Sequence, residues 1–529
     1  MGAIRSSHGG AELAEAVRGL YTEGQSDYSL EPIVLTDANS IPVGRIEDDD
    51  AVIFCCRRGE REIQLTEAFT EQEVDLFPRK KFNHLPFIIL TLYHEKFKDL
   101  PVAFAPTKIT QTLGEVLSTN NIHQLHISES EKFSHVTFFF NGGNNLSFAG
   151  EKDIRIPTPK GIPFDQIPEL SLRQVAEQLE HEFKTGDGFI VANFANGDVI
   201  GHTQNREAKI RCAEVVDKHL GNVVEQALAA KYVVLVTADH GNLEQLYTPE
   251  GKPHVSHTAN LVPLILISPM DYPSFKLKPG KLADISPSIL ALYGISKPPE
   301  MTGISLVQAD QITKTHRVLL IILDGWGMGN NDETNPIFLA HTPVWDNLLL
   351  TYPHTTLEAS GEQVGLQAGK AGNSEAGHLN MGAGRIVLQD DVRLEASMQD
   401  GTFCNNEIFL QTIDDVKKRH SRLHLIGLLS EKSSHGSIYY PLALLRMAKD
   451  HGLSEVYIHI IFDGRSTEPG SAPQLLEALE QKIRSIGMGK IVTGMGRSIA
   501  LDRDGNYQKT RAAYEALVYG NGRKAITDW

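Results

Sequence analysis

Val234-Leu235-Val236-Thr237-Ala238-Asp239-His240-Gly241-Asn242 decides how this chain is read: an apolar run the length of one strand stops at a carboxylate, an imidazole, a glycine and an amide. The run lacks helical spacing and predicts a buried strand with polar residues just past its end. Phe189 to Ala195, Arg317 to Leu323, Leu423 to Leu429 and Val456 to Phe462 are similar runs that give way to helical periodicity. Ser171 to Phe183 places Leu172, Val175, Leu179 and Phe183 on one helical face, and Pro473 to Ile486 does so with Leu475, Leu479, Ile483 and Ile486. Alternating strands and helices predict an α/β fold layered around mostly parallel sheets. Ligands of such sheets gather at the carboxyl ends of strands, so polar residues there are the first candidates for chemistry.

At 529 residues the chain is too long for one core of about 100–200 residues, and two or more domains are expected. Hydrophobic residues at 41% and charged residues at 22% exclude a disordered, collagenous or coiled-coil chain. Lys+Arg 50 against Asp+Glu 66 gives a net charge of -16 with no basic run, which excludes a general nucleic-acid or acidic-membrane binder. An anionic ligand must therefore be held by a local cluster. Cys55, Cys56, Cys212 and Cys404 offer neither a disulfide framework nor a CxxC pair, which fits a reducing cytosol. Apolar stretches such as Leu85 to Leu92 and Leu261 to Ile267 fall short of the ~18–20 residues of a spanning helix. The N-terminus carries no apolar signal region, and the expected location is cytoplasmic. Met1-Gly2-Ala3-Ile4-Arg5-Ser6 fits the N-myristoylation pattern, but no polybasic segment follows and a mobile tail is expected.

Three strand ends each offer a carboxylate to one sheet edge: Asp198 with His202 four residues on, Asp239 beside His240, and Asp324 in Asp324-Gly325-Trp326-Gly327. His257 follows in His254-Val255-Ser256-His257-Thr258. Any one of these alone reads more often as a turn or cap. Together they point to a two-metal site, and a mixed Asp/His set suits Mn²⁺ or Zn²⁺ better than Mg²⁺ or Ca²⁺. Gly372-Asn373-Ser374-Glu375-Ala376-Gly377-His378 supplies a possible nucleophile, Ser374, where a helix start would favour a phosphoryl group; the alternative is an N-cap serine. Gly365 to Ala371 lacks the P-loop spacing, and Gly325 to Gly329 lacks the dinucleotide spacing. Arg57-Arg58-Gly59-Glu60-Arg61, Lys132, Arg465, Arg497 and Arg503 stand just beyond apolar runs and suit capture of phosphate or carboxylate, though each singly reads as a surface charge. The chemistry alone gives a two-metal, phosphoryl-handling enzyme of open substrate.

These motifs, with Gly382-Ala383-Gly384-Arg385, Asp463-Gly464-Arg465 and Glu131-Lys132-Phe133-Ser134-His135 added, are similar to those of the cofactor-independent phosphoglycerate mutases over nearly the whole chain. Their order is rotated: the family's C-terminal part comes first, and the polar stretch 308–316 joins old end to old beginning, so the chain resembles a circular permutant. The resemblance implies a continuous alkaline-phosphatase-like three-layer domain over 107–388 and an α/β transferase domain assembled from 1–106 and 389–529. It implies two Mn²⁺ ions, with Zn²⁺ or Co²⁺ as substitutes, one held by Asp198, His202 and His257 and the other by Asp239, His240, Asp324 and Ser374. Ser374 would be transiently phosphorylated, and Arg58, Arg61, Lys132, His435, Arg465, Arg497 and Arg503 would bind 3- or 2-phosphoglycerate. It further implies a monomer that needs no free 2,3-bisphosphoglycerate and has no nucleic-acid or membrane partner.

The family reads DGRD where this chain has Asp463-Gly464-Arg465-Ser466, so Ser466 occupies the general-base position. A hydroxyl cannot accept a proton as a carboxylate does, and positioned acid–base groups contribute about 10²–10⁴-fold in rate. Either Glu431, Glu468 or His435 takes over, or mutase activity is weakened. A metal-dependent phosphatase is the alternative. A poorly catalytic binding subunit is a third reading, opposed by the intact ligand set.

Overall fold

The structure is a computed structural model that describes residues 8–57, 59–71, 77–106, 108–184, 186, 188–268, 276–307, 314–431, 433 and 435–527. The Met1–Ser6 pattern, Arg58 and residues 308–313 of the polar connector lie outside the described residues. The chain divides into a mid-chain unit, Thr107–Val392, and a split unit, Met1–Pro106 with Arg393–Trp529.

The mid-chain unit is built on an eight-stranded sheet in the order Gly280–Lys281, His354–Glu358, Val262–Ile267, Val233–Thr237, Val318–Leu323, Phe189–Phe194, Gln124–Glu129, Glu151–Ile156. Val318–Leu323 pairs in parallel with both Phe189–Phe194 and Val233–Thr237, and every residue of the three strands is buried. Strands buried on both faces explain the continuous branched runs, since no side faces water. Val262–Ile267 runs antiparallel to Val233–Thr237. Helix Leu172–Glu182 packs against helix Arg206–Ala229, whose start is capped by Asn205 accepting the Ala208 N–H at 3.1 Å.

The split unit has a second eight-stranded sheet, ordered Arg523–Ile526, Ile33–Thr36, Lys490–Gly496, Val456–Phe462, Leu423–Leu429, Ala51–Phe54, Phe87–Thr91, Val102–Phe104. From Lys490–Gly496 to Val102–Phe104 all neighbours are parallel. Ala51–Phe54 pairs with Leu423–Leu429, Ile53 against Leu425, so strands from the two ends of the chain share one sheet. Side chains alternate faces: Ile53, Leu425, Ile458 and Ile460 enter one core, while Val52, Phe54, Ile426 and Ile461 enter the other. Helix Ala472–Ile486 covers the first core with Leu476, Leu479, Ile483 and Ile486; Leu475, expected on that face, is only half-buried because Leu476 fills it.

The predicted α/β architecture with mostly parallel sheets is the one observed. No helix among the described residues is long and apolar enough to cross a membrane.

Candidate metal centre

In the mid-chain unit, three adjacent parallel strands deliver the acidic set. Phe189–Phe194 leads into helix Asn196–Gly201, which carries Asp198; Val233–Thr237 leads to Asp239 and His240; Val318–Leu323 leads to Asp324. Parallel pairing puts all three carboxylates at one sheet edge. The approach needs glycine at 325, where φ is +73 and a Cβ would stand 2.6 Å from the Asp198 nitrogen.

Lys132 reaches the middle of the cluster from beyond strand Gln124–Glu129. Its Nζ lies 2.6 Å from Asp198 Oδ2, 2.7 Å from Asp324 Oδ1 and 2.5 Å from Ser374 Oγ. Burial alone would lower its pKa, but Asp324, Asp198 and Asp239 raise it, so it is an ammonium. Burial would raise Asp198 and Asp239. The Lys132 charge and the His202 and His257 hydrogen bonds instead hold Asp198 far below the carboxylate range, and His240 and His378 do the same for Asp239. Asp324 moves up, through burial and the charge of Asp239.

The histidines are oriented from behind. His257 Nδ1 donates to Gly372 O at 2.8 Å, and His202 Nδ1 donates to Val255 O at 2.9 Å. Carbonyls only accept, so both Nδ1 atoms carry protons and both Nε2 atoms turn toward Asp198. They lie 3.2 Å apart, each within 3.2 Å of Asp198 Oδ1. His240 Nε2 is 3.0 Å from Ser374 Oγ, 3.5 Å from Asp239 Oδ2 and Asp324 Oδ1, and 3.9 Å from Asp198 Oδ1. Two donor groups result, Asp198–His240–His257 and Asp239–His240–Asp324, which share His240.

Three buried carboxylates face one buried ammonium, and the buried Asp239 Oδ2 accepts no hydrogen bond among the described residues. Imidazole and carboxylate donors at this density suit divalent cations of the Mn²⁺ or Zn²⁺ type.

Ser374 opens helix Ser374–Ala383. The cap is Asn373, whose Oδ1 accepts the Ala376 N–H at 2.8 Å, so the capping role considered for Ser374 falls to its neighbour. Asn193 and His378 back the centre. Asn193 Nδ2 donates to Asp324 Oδ2 at 2.7 Å and to His378 Nε2 at 3.1 Å, leaving His378 Nδ1 to donate to Ser374 O at 2.9 Å. Neither was a sequence candidate, although His378 sits one helical turn after Ser374 in the quoted motif.

The remaining candidates belong to the split unit. Arg497 and Asp463 are buried and paired, with Arg497 Nε and Asp463 Oδ2 lacking a hydrogen bond among the described residues. Arg61 is buried and donates to Leu501 O at 2.9 Å. His435 Nδ1 meets Glu62 Oε1 at 3.0 Å. Arg465 and Ser466 are exposed, and Arg503, also exposed, pairs with Glu60 at 3.1 Å.

A family model for the metalloenzyme superfamily matches residues 21–297, more than half of the chain. This chain belongs to the metalloenzyme superfamily. The family and the donor groups together support use of a divalent metal by this metalloenzyme. A second model, described as the BPG-independent PGAM N-terminus, matches residues 394–528. The 2,3-bisphosphoglycerate-independent phosphoglycerate mutase 1 of Methanosarcina acetivorans is 42% identical over 294 residues, 55% of this chain and 56% of that protein. The corresponding Moorella thermoacetica mutase is 40% identical over 301 residues, 57% of this chain and 58% of that protein. The chain thus spans just over half the length of the curated relatives it matches. A solved Leishmania mexicana phosphoglycerate mutase aligns at TM-score 0.40 and 27% identity, over 52% of this chain and 53% of that one.

Proposed function

We propose that this metalloenzyme interconverts 3-phosphoglycerate and 2-phosphoglycerate through a phosphoserine at Ser374. The observation that carries the reading is the setting of Ser374 Oγ, a buried helix-start hydroxyl 2.5 Å from Lys132 Nζ, 3.0 Å from His240 Nε2 and 3.2 Å from Asp324 Oδ1. The names of the matched relatives support the substrate class.

Asp198, His202 and His257 would hold one Mn²⁺, and Asp239, His240, Asp324 and Ser374 the other; Zn²⁺ or Co²⁺ could substitute. When bound, the ions would lower the serine pKa and screen phosphoryl oxygens. The chain's own residues do the rest. Lys132 neutralises charge on the phosphoryl oxygens, and the start of the helix behind Ser374 adds the positive end of its dipole. The phosphoryl group passes to Ser374, the glycerate turns, and the group returns to the other hydroxyl, without free 2,3-bisphosphoglycerate. Arg58, Arg61, His435, Arg465, Arg497 and Arg503 bind the anionic substrate. Ser466, standing for a carboxylate, leaves the proton-accepting role to another group.

In this reading residues 107–388 are the alkaline-phosphatase-like domain, and 1–106 with 389–529 the transferase domain of a cytoplasmic monomer. The order is circularly permuted, a reading supported by the match of a model for an N-terminus to residues 394–528. The test is incubation with Mn²⁺ and 3-phosphoglycerate while following 2-phosphoglycerate and free phosphate. Stoichiometric 2-phosphoglycerate is expected. Phosphate alone would replace the mutase with a phosphatase.

A further inference from the structure

We propose that Glu62 and His435 form the proton-accepting pair of this enzyme, in place of the carboxylate that position 466 lacks. The inference rests on the mutase reading above, and His435 is the catalytic residue of the pair while Glu62 positions it.

Glu62 is completely buried at the start of helix Ile63–Thr70. A carboxylate in that position costs several kcal/mol unless a charged or hydrogen-bonding group meets it. His435 does so, with Nδ1 at 3.0 Å from Glu62 Oε1, across 373 residues of sequence. The backbone fixes the imidazole independently: the Arg57 N–H donates to His435 O at 3.0 Å, and Cys56 forms a β-bridge with Gly436. An ionised Glu62 can only accept, so Nδ1 carries the proton and the lone pair resides on Nε2. A carboxylate behind an imidazole in this way fixes its tautomer and stabilises the imidazolium once a proton arrives.

The pair stands where a parallel sheet gathers its polar groups. Cys56 follows strand Ala51–Phe54, His435 follows Leu423–Leu429, Asp463 follows Val456–Phe462, and Arg497 follows Lys490–Gly496, all at carboxyl ends. Among the described residues, burial raises Cys56 and Tyr93, the charge of Glu62 acts on both in the same direction, and Cys56 in turn feels Arg497 and Asp463. The two other carboxylates considered for the role are on the surface: Glu431 is exposed and accepts from Tyr439 Oη at 2.9 Å, and Glu468 is exposed.

In the step assigned to the pair, the O–H bond of a glycerate hydroxyl breaks and its proton passes to His435 Nε2. The freed electron pair forms the new O–P bond as the bond from phosphorus to the serine oxygen breaks, and that pair remains on the serine oxygen. Water then takes the imidazolium proton, and the serine oxygen regains one from water.

The experiment compares wild type, Glu62→Gln, Glu62→Asp and Glu62→Gln/Ser466→Asp, each as the full chain with Mn²⁺, and titrates His435 by imidazole ¹⁵N NMR. Glu62→Gln is expected to lower kcat by about 10²-fold, at the low end of the acid–base range, with KM changed less than about twofold. Glu62→Asp should keep most of the rate, and Ser466→Asp should restore kcat in the Glu62→Gln background. His435 should be the Nδ1–H tautomer in wild type, with a midpoint that falls in Glu62→Gln. An unchanged kcat with an unchanged midpoint would overturn the proposal, as would a rate loss that Ser466→Asp does not recover. If wild type makes no 2-phosphoglycerate, the mutase reading fails, and the His435 spectrum still decides: a midpoint that depends on Glu62 supports the pair, and one that does not overturns it.

Discussion

Lys132 Nζ lies 2.5 Å from Ser374 Oγ, the shortest hydrogen bond of that hydroxyl among the described residues. The same ammonium touches Asp198 and Asp324, so one cation ties the Ser374 hydroxyl to two of the three carboxylates around it. All four groups are buried, which makes each interaction stronger than in water and each missing partner more costly.

Replacing Lys132 with Met keeps length and removes the charge. Breaking a buried pair by deleting one partner costs about 3–5 kcal/mol, so Lys132→Met should lose about that much stability in chelator. Divalent cations would replace the lost positive charge, and urea unfolding with saturating Mn²⁺ should show a clearly smaller difference. Equal losses in both conditions would separate Lys132 from the metal centre.

Asn193 donates both amide hydrogens, one to Asp324 and one to His378. Groups that orient metal ligands typically contribute 10–100-fold in affinity. Asn193→Leu should therefore weaken Mn²⁺ binding to the chelator-stripped protein by about 10–100-fold in titration calorimetry. Unchanged affinity would reduce Asn193 to a packing role.

A hydrogen-bonded chain crosses the sheet of the split unit. Arg422 Nη2 donates to Asp50 Oδ2 at 2.9 Å, and His424 Nε2 donates to the same oxygen at 3.1 Å. His459 Nε2 donates to His424 Nδ1 at 2.9 Å, and Thr493 Oγ1 donates to His459 Nδ1 at 2.9 Å. Burial lowers both imidazoles, outweighing the pull of Asp50 on His424. The folded protein thus keeps both neutral, while the unfolded chain titrates near pH ~6.5. As pH falls through that value the unfolded chain binds protons that the folded state refuses. Stability then drops by up to about 1.4 kcal/mol per pH unit for each histidine. Hydrogen bonds from His424 and Arg422 hold Asp50 low despite its burial, so its own contribution is lost only below about pH 4. His459→Gln should flatten the slope of unfolding free energy between about pH 7 and 5.5. An unchanged slope would count against the neutral pair.

Much of the architecture was legible because buried parallel strands have little choice of residue. Val233–Thr237 and Val318–Leu323 read as strands from their branched runs, and Asp239 and Asp324 stand out because a carboxylate ends such a run. The face of helix Ala472–Ile486 was misjudged at Leu475, since two adjacent leucines compete for one stripe and packing chose Leu476. Asn193 was invisible, as an amide inside an apolar strand looks like an interruption until Asp324 and His378 are seen beside it. Glu62 was hidden more deeply. Beside Arg61 it reads as a surface acid at a helix start, and its partner lies at the far end of the chain.

The central claim, a phosphoryl group carried by Ser374 during mutase turnover, is tested most directly by rapid-quench phosphopeptide mapping of the Mn²⁺-loaded protein mixed with 3-phosphoglycerate. The account predicts phosphate on the peptide containing Ser374 before 2-phosphoglycerate accumulates, with both lost in Ser374→Ala. Formation of 2-phosphoglycerate with no phosphate on Ser374, or in its absence, would contradict it.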